Sequence, residues 1–257
     1  MIAKYGFWGN KQYHLNKMTL NQLVAAYFQY YAIQAYLLCA AGALYVSINY
    51  ATAWIPNIIA ASIAFFLYPL IWYALHRWVL HSQWMYKNRW TASTWKRIHY
   101  DHHQDPHDLS ILFGALYTTL PTIALVTIPV GYALDGIGGA GSALASGLIM
   151  TCFYEFAHCI QHLSYKPKNK YLIEMKQRHM AHHFHDEKGN FGITNFLWDR
   201  MFHTVYDRPD RPEKSPTVFN LGYTKDVAET YPWVADLSGG LGHENPRQRR
   251  KELGIDE

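Results

Sequence analysis

The 257-residue chain lacks the features that mark several common protein classes. It has only three cysteines, Cys39, Cys152 and Cys159, and no C-x-x-C pair, so neither a disulfide framework nor a zinc ribbon is indicated. Cys159 neighbours His158 but reads as a small buried residue rather than a soft ligand. Charge is scarce at 16% of residues, and the net +4 comes from cations beside apolar runs rather than in a stripe. No helix-turn-helix, zinc-finger or RNA-binding signature occurs, so nucleic acid is not an expected partner. There is no H-E-x-x-H and no evident nucleophile, which counts against a membrane zinc hydrolase. Met1 to Thr19 has no apolar core of a signal peptide, which leaves membrane targeting to internal segments.

Apolar residues, by contrast, make up 50% of the chain and come in blocks. Tyr31–Ile48 and Ile58–Leu75 are each 18 residues without a charge, near the roughly 20 that span a bilayer core. The loop Asn49–Asn57 separates them, and Pro69 is expected to kink the second. A third run, Ile111–Leu134, is expected to be broken by Pro121 and Pro129. A fourth, Gly138–Ala157, follows the short link Asp135–Ile137, which implies a tight antiparallel hairpin. Gly141, Ala143, Ala145 and Gly147 would let helices approach closely. The chain has too little polar residue mass to cover four such helices in water. The expected fold is therefore all-α: an integral membrane protein of about four transmembrane helices with a cytosolic, histidine-rich helical cap.

Basic residues set the orientation. Lys4, Lys11 and Lys17 precede the first run, and Lys87, Arg89, Lys96 and Arg97 lie among Trp84, Trp90 and Trp95 in what reads as an interfacial belt. Lys166, Lys168, Lys170, Lys176 and Arg178 follow the last run, placed to meet anionic headgroups. The two remaining loops have no Lys or Arg, which puts both termini and the central loop in the cytoplasm, at a bacterial inner membrane or the endoplasmic reticulum. The chain reads as one membrane unit: 1–30 as N-terminal segment, 31–164 as membrane helices with a cytosolic insert at 82–110, 165–206 as cap, and 207–257 as a polar tail, partly disordered near Arg247–Glu257.

Ten of the fifteen histidines fall into four boxes. His99, His102 and His103 form an H-x-x-H-H box, repeated at His179, His182 and His183. Positions i, i+3 and i+4 share a helix face, so each box is expected to aim three imidazoles at one point. His158 and His162 are spaced H-x3-H and can aim two. His76 and His81, spaced H-x4-H, lie about 140° apart on a regular helix, so one is expected at a helix end or on a bulge. Ten imidazoles suit two transition metals of about five ligands each, with Fe, Zn, Cu and Ni all compatible. A metal pair at the foot of membrane helices faces substrates arriving from lipid. Attack on an unactivated C–H bond needs an oxygen-activating redox metal, which makes iron the functional inference; zinc can occupy such a site after isolation.

On these boxes, over roughly Leu75 to Tyr206, the chain resembles the fatty acid hydroxylase/sterol desaturase superfamily. The stretch Asn190-Phe-Gly to Trp198-Asp199-Arg200-Met-Phe adds to the likeness. The box order most resembles the fatty acid 2-hydroxylase branch; acyl-CoA desaturases space their boxes more widely than the 18 residues from His81 to His99. The resemblance implies a four-helix anchor under a cytosolic cap, and a di-iron site using O2 and two electrons on a long-chain lipid. It also implies that His76, His81, His99, His102, His103, His158, His162, His179, His182 and His183 are the metal ligands. No N-terminal cytochrome b5 domain is recognised, so electrons are expected from a separate donor of cytochrome b5 or ferredoxin type. His203 stands where many relatives have glycine.

Glu155, a charge at the membrane boundary, is expected to accept a hydrogen bond from a ligand imidazole, as is Asp101. Asp105, Asp108 and Asp186 are weaker candidates for the same role. His107 and His185 break the box pattern and are expected outside the ligand set, Trp198 and Asp199 are expected to fix the cap, and His14 and His243 to lie at the surface. Two other enzymatic outcomes share the site, desaturation or hydroxylation of a sterol or carotenoid. A histidine-rich metal transporter would instead line a path across the bilayer.

Overall fold

The computed structural model describes residues 13–242. Lys4, Lys11, His243 and the tail end Arg247–Glu257 lie outside the described residues. The described residues are mostly helical and form no strand beyond an isolated bridge between His14 and Asp108. His14 is half-buried there, not at the open surface.

Helix α1 (Leu20–Gln29) starts on a capping box, Thr19 accepting from the Gln22 backbone while the Gln22 side chain accepts from Thr19 N. Helix α2 (Tyr31–Tyr50) is followed after three residues by α3 (Trp54–Leu75). The expected Asn49–Asn57 loop is thus shorter than read: Pro56 sits in the first turn of α3, where its missing N–H costs nothing. The polar stretch that follows is broken into α4 (Trp84–Lys87), α5 (Arg89–Trp95) and α6 (Asp101–Gln104), and α7 (Leu109–Leu112) leads into α8 (Leu116–His162). Pro121 and Pro129 do not break α8; it runs through both and is interrupted only at Asp135 and Gly136, the latter at φ 53°. Its halves fold back antiparallel, since Gly131 meets Gly139 and Gly147 lies against Thr127 and Ile123. This is the hairpin expected from the short link.

Three helical stretches, Tyr31–Tyr50, Trp54–Leu80 and Leu109–His162, are long and apolar enough to cross a membrane. Their packing is inside-out relative to a water-soluble core. Ala32, Ala40, Ala60, Ala64 and Ala143 are buried, while Leu38, Ile55, Phe66 and Leu125 are each more than 70% exposed. Small residues inside let the helices approach, and large ones outside suit lipid, so the chain is an integral membrane protein. Gly141 shows the constraint: a Cβ there would lie 2.6 Å from Ala43 O and 2.7 Å from Ser47 N of α2.

Helix α9 (Lys170–Phe184) is capped by Asn169, whose side chain accepts from Tyr171 N and Leu172 N. Short helices α10 (Leu197–Met201), α11 (Lys225–Thr230) and α12 (Trp233–Ser238) complete the chain. The residues after 207 are more than a polar flank. Tyr223, Ala228 and Val234 pack with Tyr86, Trp95 and Tyr100 into a second core. Trp95, read as part of an interfacial belt, is fully buried there with its Nε1 donating to Leu80 O (2.7 Å), whereas Trp84 and Trp90 are exposed.

Candidate metal centre

The H-x4-H spacing is resolved by a π-helical turn. His76–Leu80 continues α3 with i→i+5 hydrogen bonding, and His81 N donates to His76 O (3.1 Å). The wider turn brings residues five apart onto one face, so the His76 and His81 Nε2 atoms lie 3.2 Å apart. A second π turn, Lys96–Tyr100, carries His99 into α6 with His102 and His103. His158 and His162 end α8, and His179, His182 and His183 end α9.

All ten boxed histidines meet, in two adjoining groups. One is His102, His158, His162, His179 and His183, with ligand atoms all within 4.8 Å of one another. The other is His76, His81, His99 and His103. His182 joins the second group through His103, and its ring lies edge-on 4.9 Å from His76 and 4.8 Å from His81. Contrary to the expectation of three rings on one point, each H-x-x-H-H box is split. Positions i and i+4 lie about 40° apart around a helix, but i+3 and i+4 about 100° apart. His179 and His183 therefore face one group and His182 the other; His99 and His103 face the second group and His102 the first.

In the first group the Nε2 atoms of His158, His162 and His179 form a triangle with edges of 2.8, 3.0 and 3.3 Å. In the second, His81 Nε2 lies 2.8 Å from His99 Nε2 and 3.2 Å from His76 Nε2. Nitrogens about 2.1 Å from a common ion and at right angles to each other sit about 3.0 Å apart, so both clusters fit a transition metal. The polar bookkeeping agrees. Both ring nitrogens of His102 and His183, and Nε2 of His103 and His182, are buried without a hydrogen-bond partner. Each such orphan costs about 1–3 kcal/mol unless something satisfies it. Protons do not. Burial first, then the neighbouring imidazoles, holds His99, His102, His179, His182 and His183 well below the usual histidine range, and burial brings His103 down to about 3. The rings are therefore neutral and able to offer lone pairs to a cation.

Three rings of the second group are oriented by backbone carbonyls, not carboxylates. His76 Nδ1 donates to Phe191 O (2.7 Å), His103 Nδ1 to Val218 O (3.0 Å) and His182 Nδ1 to Gly189 O (2.8 Å). Each bond leaves Nε2 as a bare lone pair aimed inward. The two carboxylates expected in this role bond elsewhere: Glu155 Oε1 accepts from Gly114 N (3.0 Å), and Asp101 pairs with Lys96 at 2.7 Å. Asp108 caps α7 by accepting from Ser110 N, Asp186 accepts from Lys188 N, and Asp105 accepts from His107 N. His107 and His185 lie outside both groups, their rings bonded to the carbonyls of His162 and Pro212. Cys159 is buried and belongs to neither group.

Asp199 secures the loop that braces His76. Fully buried, it accepts from Phe191 N and Gly192 N (both 2.8 Å) and from Thr204 Oγ1 (2.8 Å). Gly192 is required by closeness, since a Cβ there would lie 2.8 Å from Asp199 Oδ2. His203 follows α10 in the left-handed region at φ 55°, the geometry glycine favours after a helix. None of the carbonyl braces has a sequence signature, since every residue carries a backbone carbonyl.

Beside both groups lies a cavity of about 230 Å³. His76, His99, His102, His158, His179 and His183 line one side. Trp72, Leu75, Val79, Leu80, Ile98 and Leu112 supply apolar wall, with Thr118, Thr119, Thr122 and Glu155 as its polar patch.

Comparison with known proteins places the chain in one family. A model of the fatty acid hydroxylase family matches residues 61–204, more than half of the chain. Human fatty acid 2-hydroxylase is 31% identical over 153 residues, covering 57% of this chain and 39% of that protein. A ceramide very long chain fatty acid hydroxylase of Saccharomyces cerevisiae is 29% identical over 154 residues, covering 57% and 38%. A dihydroceramide fatty acyl 2-hydroxylase of Arabidopsis thaliana is 28% identical over 142 residues, covering 54% and 56%. The match thus spans well under two thirds of these relatives. Among solved structures, full-length scs7p with only its hydroxylase domain visible aligns with a TM-score of 0.59 at 23% identity, over 78% of this chain and 71% of that one, a likeness of fold.

Proposed function

Because the chain belongs to the fatty acid hydroxylase family, we propose that it is a membrane di-iron oxygenase that hydroxylates a C–H bond of a fatty acyl lipid with O2 and two electrons. The observation that carries this reading is the pair of adjoining histidine groups, six of whose rings line one wall of an otherwise mostly apolar cavity. We assign all ten histidines as ligands, His102, His158, His162, His179 and His183 to one ion and His76, His81, His99, His103 and His182 to the other. Iron held there supplies the O2 activation that acid–base side chains cannot. The chain's own residues do the rest. Phe191, Val218 and Gly189 carbonyls fix three imidazoles as neutral Nε2 donors. Trp72, Leu75, Val79 and Ile98 enclose an acyl segment and exclude water, while the threonines and Glu155 offer hydrogen bonds to the lipid's polar end. The unit sits with its metal groups and termini on the cytoplasmic side and crosses the membrane about four times, α8 contributing two crossings. Electrons arrive from a separate cytochrome b5 or ferredoxin type of donor.

The test is lipid mass spectrometry on a host expressing wild type or His182→Ala. The expected result is a lipid heavier by one oxygen, labelled from 18O2 and absent with the variant. Loss of two hydrogens instead would make the enzyme a desaturase. No lipid change despite stoichiometric metal and an added donor would sink the oxygenase reading.

A further inference from the structure

The substrate cavity and the metal groups leave a second concavity unexplained. A groove of about 860 Å³ lies against the other flank of the histidine cluster, with His107, His162, Leu163 and Tyr206 among its lining residues. Its remaining walls are strongly basic: Lys166, Lys176, Arg178, Arg208 and Arg211 against the single carboxylate of Asp207.

Two of these cations are structural. Lys176 Nζ donates to the Leu163 and Tyr165 carbonyls, closing the C-terminus of α8. Arg178 grips Asp207 through two hydrogen bonds of 2.9 and 2.8 Å. Lys166, Arg208 and Arg211 are different: all three are exposed, and among the described residues none has a carboxylate within ion-pair distance. An unneutralised basic rim focuses a positive potential on the groove and steers an acidic partner into it.

The floor of the groove gives the rim a use. His107 Nδ1 donates to His162 O (3.1 Å), and the two rings lie 6.1 Å apart. His162 Nε2 is in turn 2.8 Å from His179 Nε2. A partner seated here lies one side chain from the first histidine group and stays out of the lipid cavity, which His158, His179 and His183 line and which shares no lining residue with the groove. Substrate and partner can be bound together.

We infer that this groove is the docking site of an acidic one-electron carrier protein, whose electrons enter the metal centre beside His107 and His162. The inference rests on the oxygenase reading for the purpose of docking, but the contact can be measured without turnover. In each cycle the carrier is oxidised twice by one electron; the two electrons and two protons reduce one oxygen atom of O2 to water while the other enters the C–H bond.

The experiment uses the full chain, metal-loaded, in nanodiscs of zwitterionic lipid. Binding of a plant-type [2Fe–2S] ferredoxin and of a soluble cytochrome b5 domain is titrated at rising salt. The probes are repeated on the triple variant Lys166→Glu/Arg208→Glu/Arg211→Glu and on the control Lys87→Glu/Lys225→Glu, with metal content and Tm confirming the fold. The expected result is salt-sensitive binding of at least one carrier, weakened at least tenfold by the triple variant and unchanged by the control. The inference is overturned if neither carrier binds wild type, if both variants weaken it alike, or if the triple variant loses only association with vesicles containing phosphatidylserine, which would make the rim a lipid-headgroup contact. Hydroxylation by wild type fed with reduced methyl viologen is scored separately: its absence counts against the oxygenase reading while the binding result stands.

Discussion

The two histidine groups have nearly the same composition but are held in unlike ways. In the second, three rings are bolted through Nδ1 to carbonyls of the chain after the last box. In the first, Nδ1 of His102, His162, His179 and His183 is buried without a partner, and position comes from two helix ends carrying i,i+4 pairs. One group is braced by loops, the other by the helices that bear it. A hydrogen-bonded imidazole is a fixed tautomer and a more basic ligand. The two ions are therefore expected to differ in environment and in sensitivity to the cap.

The largest break of that comparison comes from Asp199→Ala. It strips the acceptor from two buried backbone donors, a cost of about 2–5 kcal/mol. It also loosens the Phe191 carbonyl on His76, so metal affinity should fall about 10–100-fold in the braced group and stay unchanged in the other. Thermal unfolding with metal titration reads both. Equal weakening of the two ions would mean that the groups are not held separately.

A smaller effect sharpens the picture of the bracing loop. Asn190 and His203 both take positive φ there, 56° and 55°, and Asn190 N is bonded to Thr204 O at 2.9 Å. His203→Gly should relieve strain and raise stability by about 0.5–1 kcal/mol, net of the added unfolded-state entropy. An unchanged Tm would show that the loop is not strained at this position.

The smallest effect concerns the helix-held group. Arg178, next to His179, binds Asp207, and this hydrogen-bonded guanidinium holds the Asp207 carboxyl below its usual range. The folded carboxyl is the stronger acid, so its stabilisation is full above the unfolded pKa of about 4 and fades as pH falls through the folded value. Asp207 is half exposed, which limits the contribution to about 0.5 kcal/mol or less. The Tm gap between wild type and Asp207→Asn should be small at pH 7 and close toward pH 3, with the metal of the first group retained throughout. Loss of that metal would show that the group depends on the ion pair after all.

Much of this was legible in the residues, and the exceptions share one cause. Spacing and type picked out the ten histidines that the fold brings together, because a cluster of imidazoles needs specific side chains, and 18-residue apolar runs identified the membrane helices. The H-x4-H spacing even required a departure from regular helix, supplied by the π turn at His76. Splitting of the H-x-x-H-H boxes was missed because sharing a face was equated with sharing a target; the 100° between His182 and His183 suffices to separate them. The carbonyls of Phe191, Gly189 and Val218 left no trace, since every residue carries one. Glu155 and Asp101 were the readable guesses for a task that backbone performs. The tail looked merely polar because Val218, Tyr223 and Val234 are scattered among turn residues rather than periodic.

The most direct test of the central claim is a metal count with Mössbauer spectroscopy on the full chain loaded with 57Fe. The account predicts two irons per chain in two distinguishable environments, with Asp199→Ala perturbing only one of them. One iron per chain, or two irons that respond to Asp199→Ala together, would contradict it.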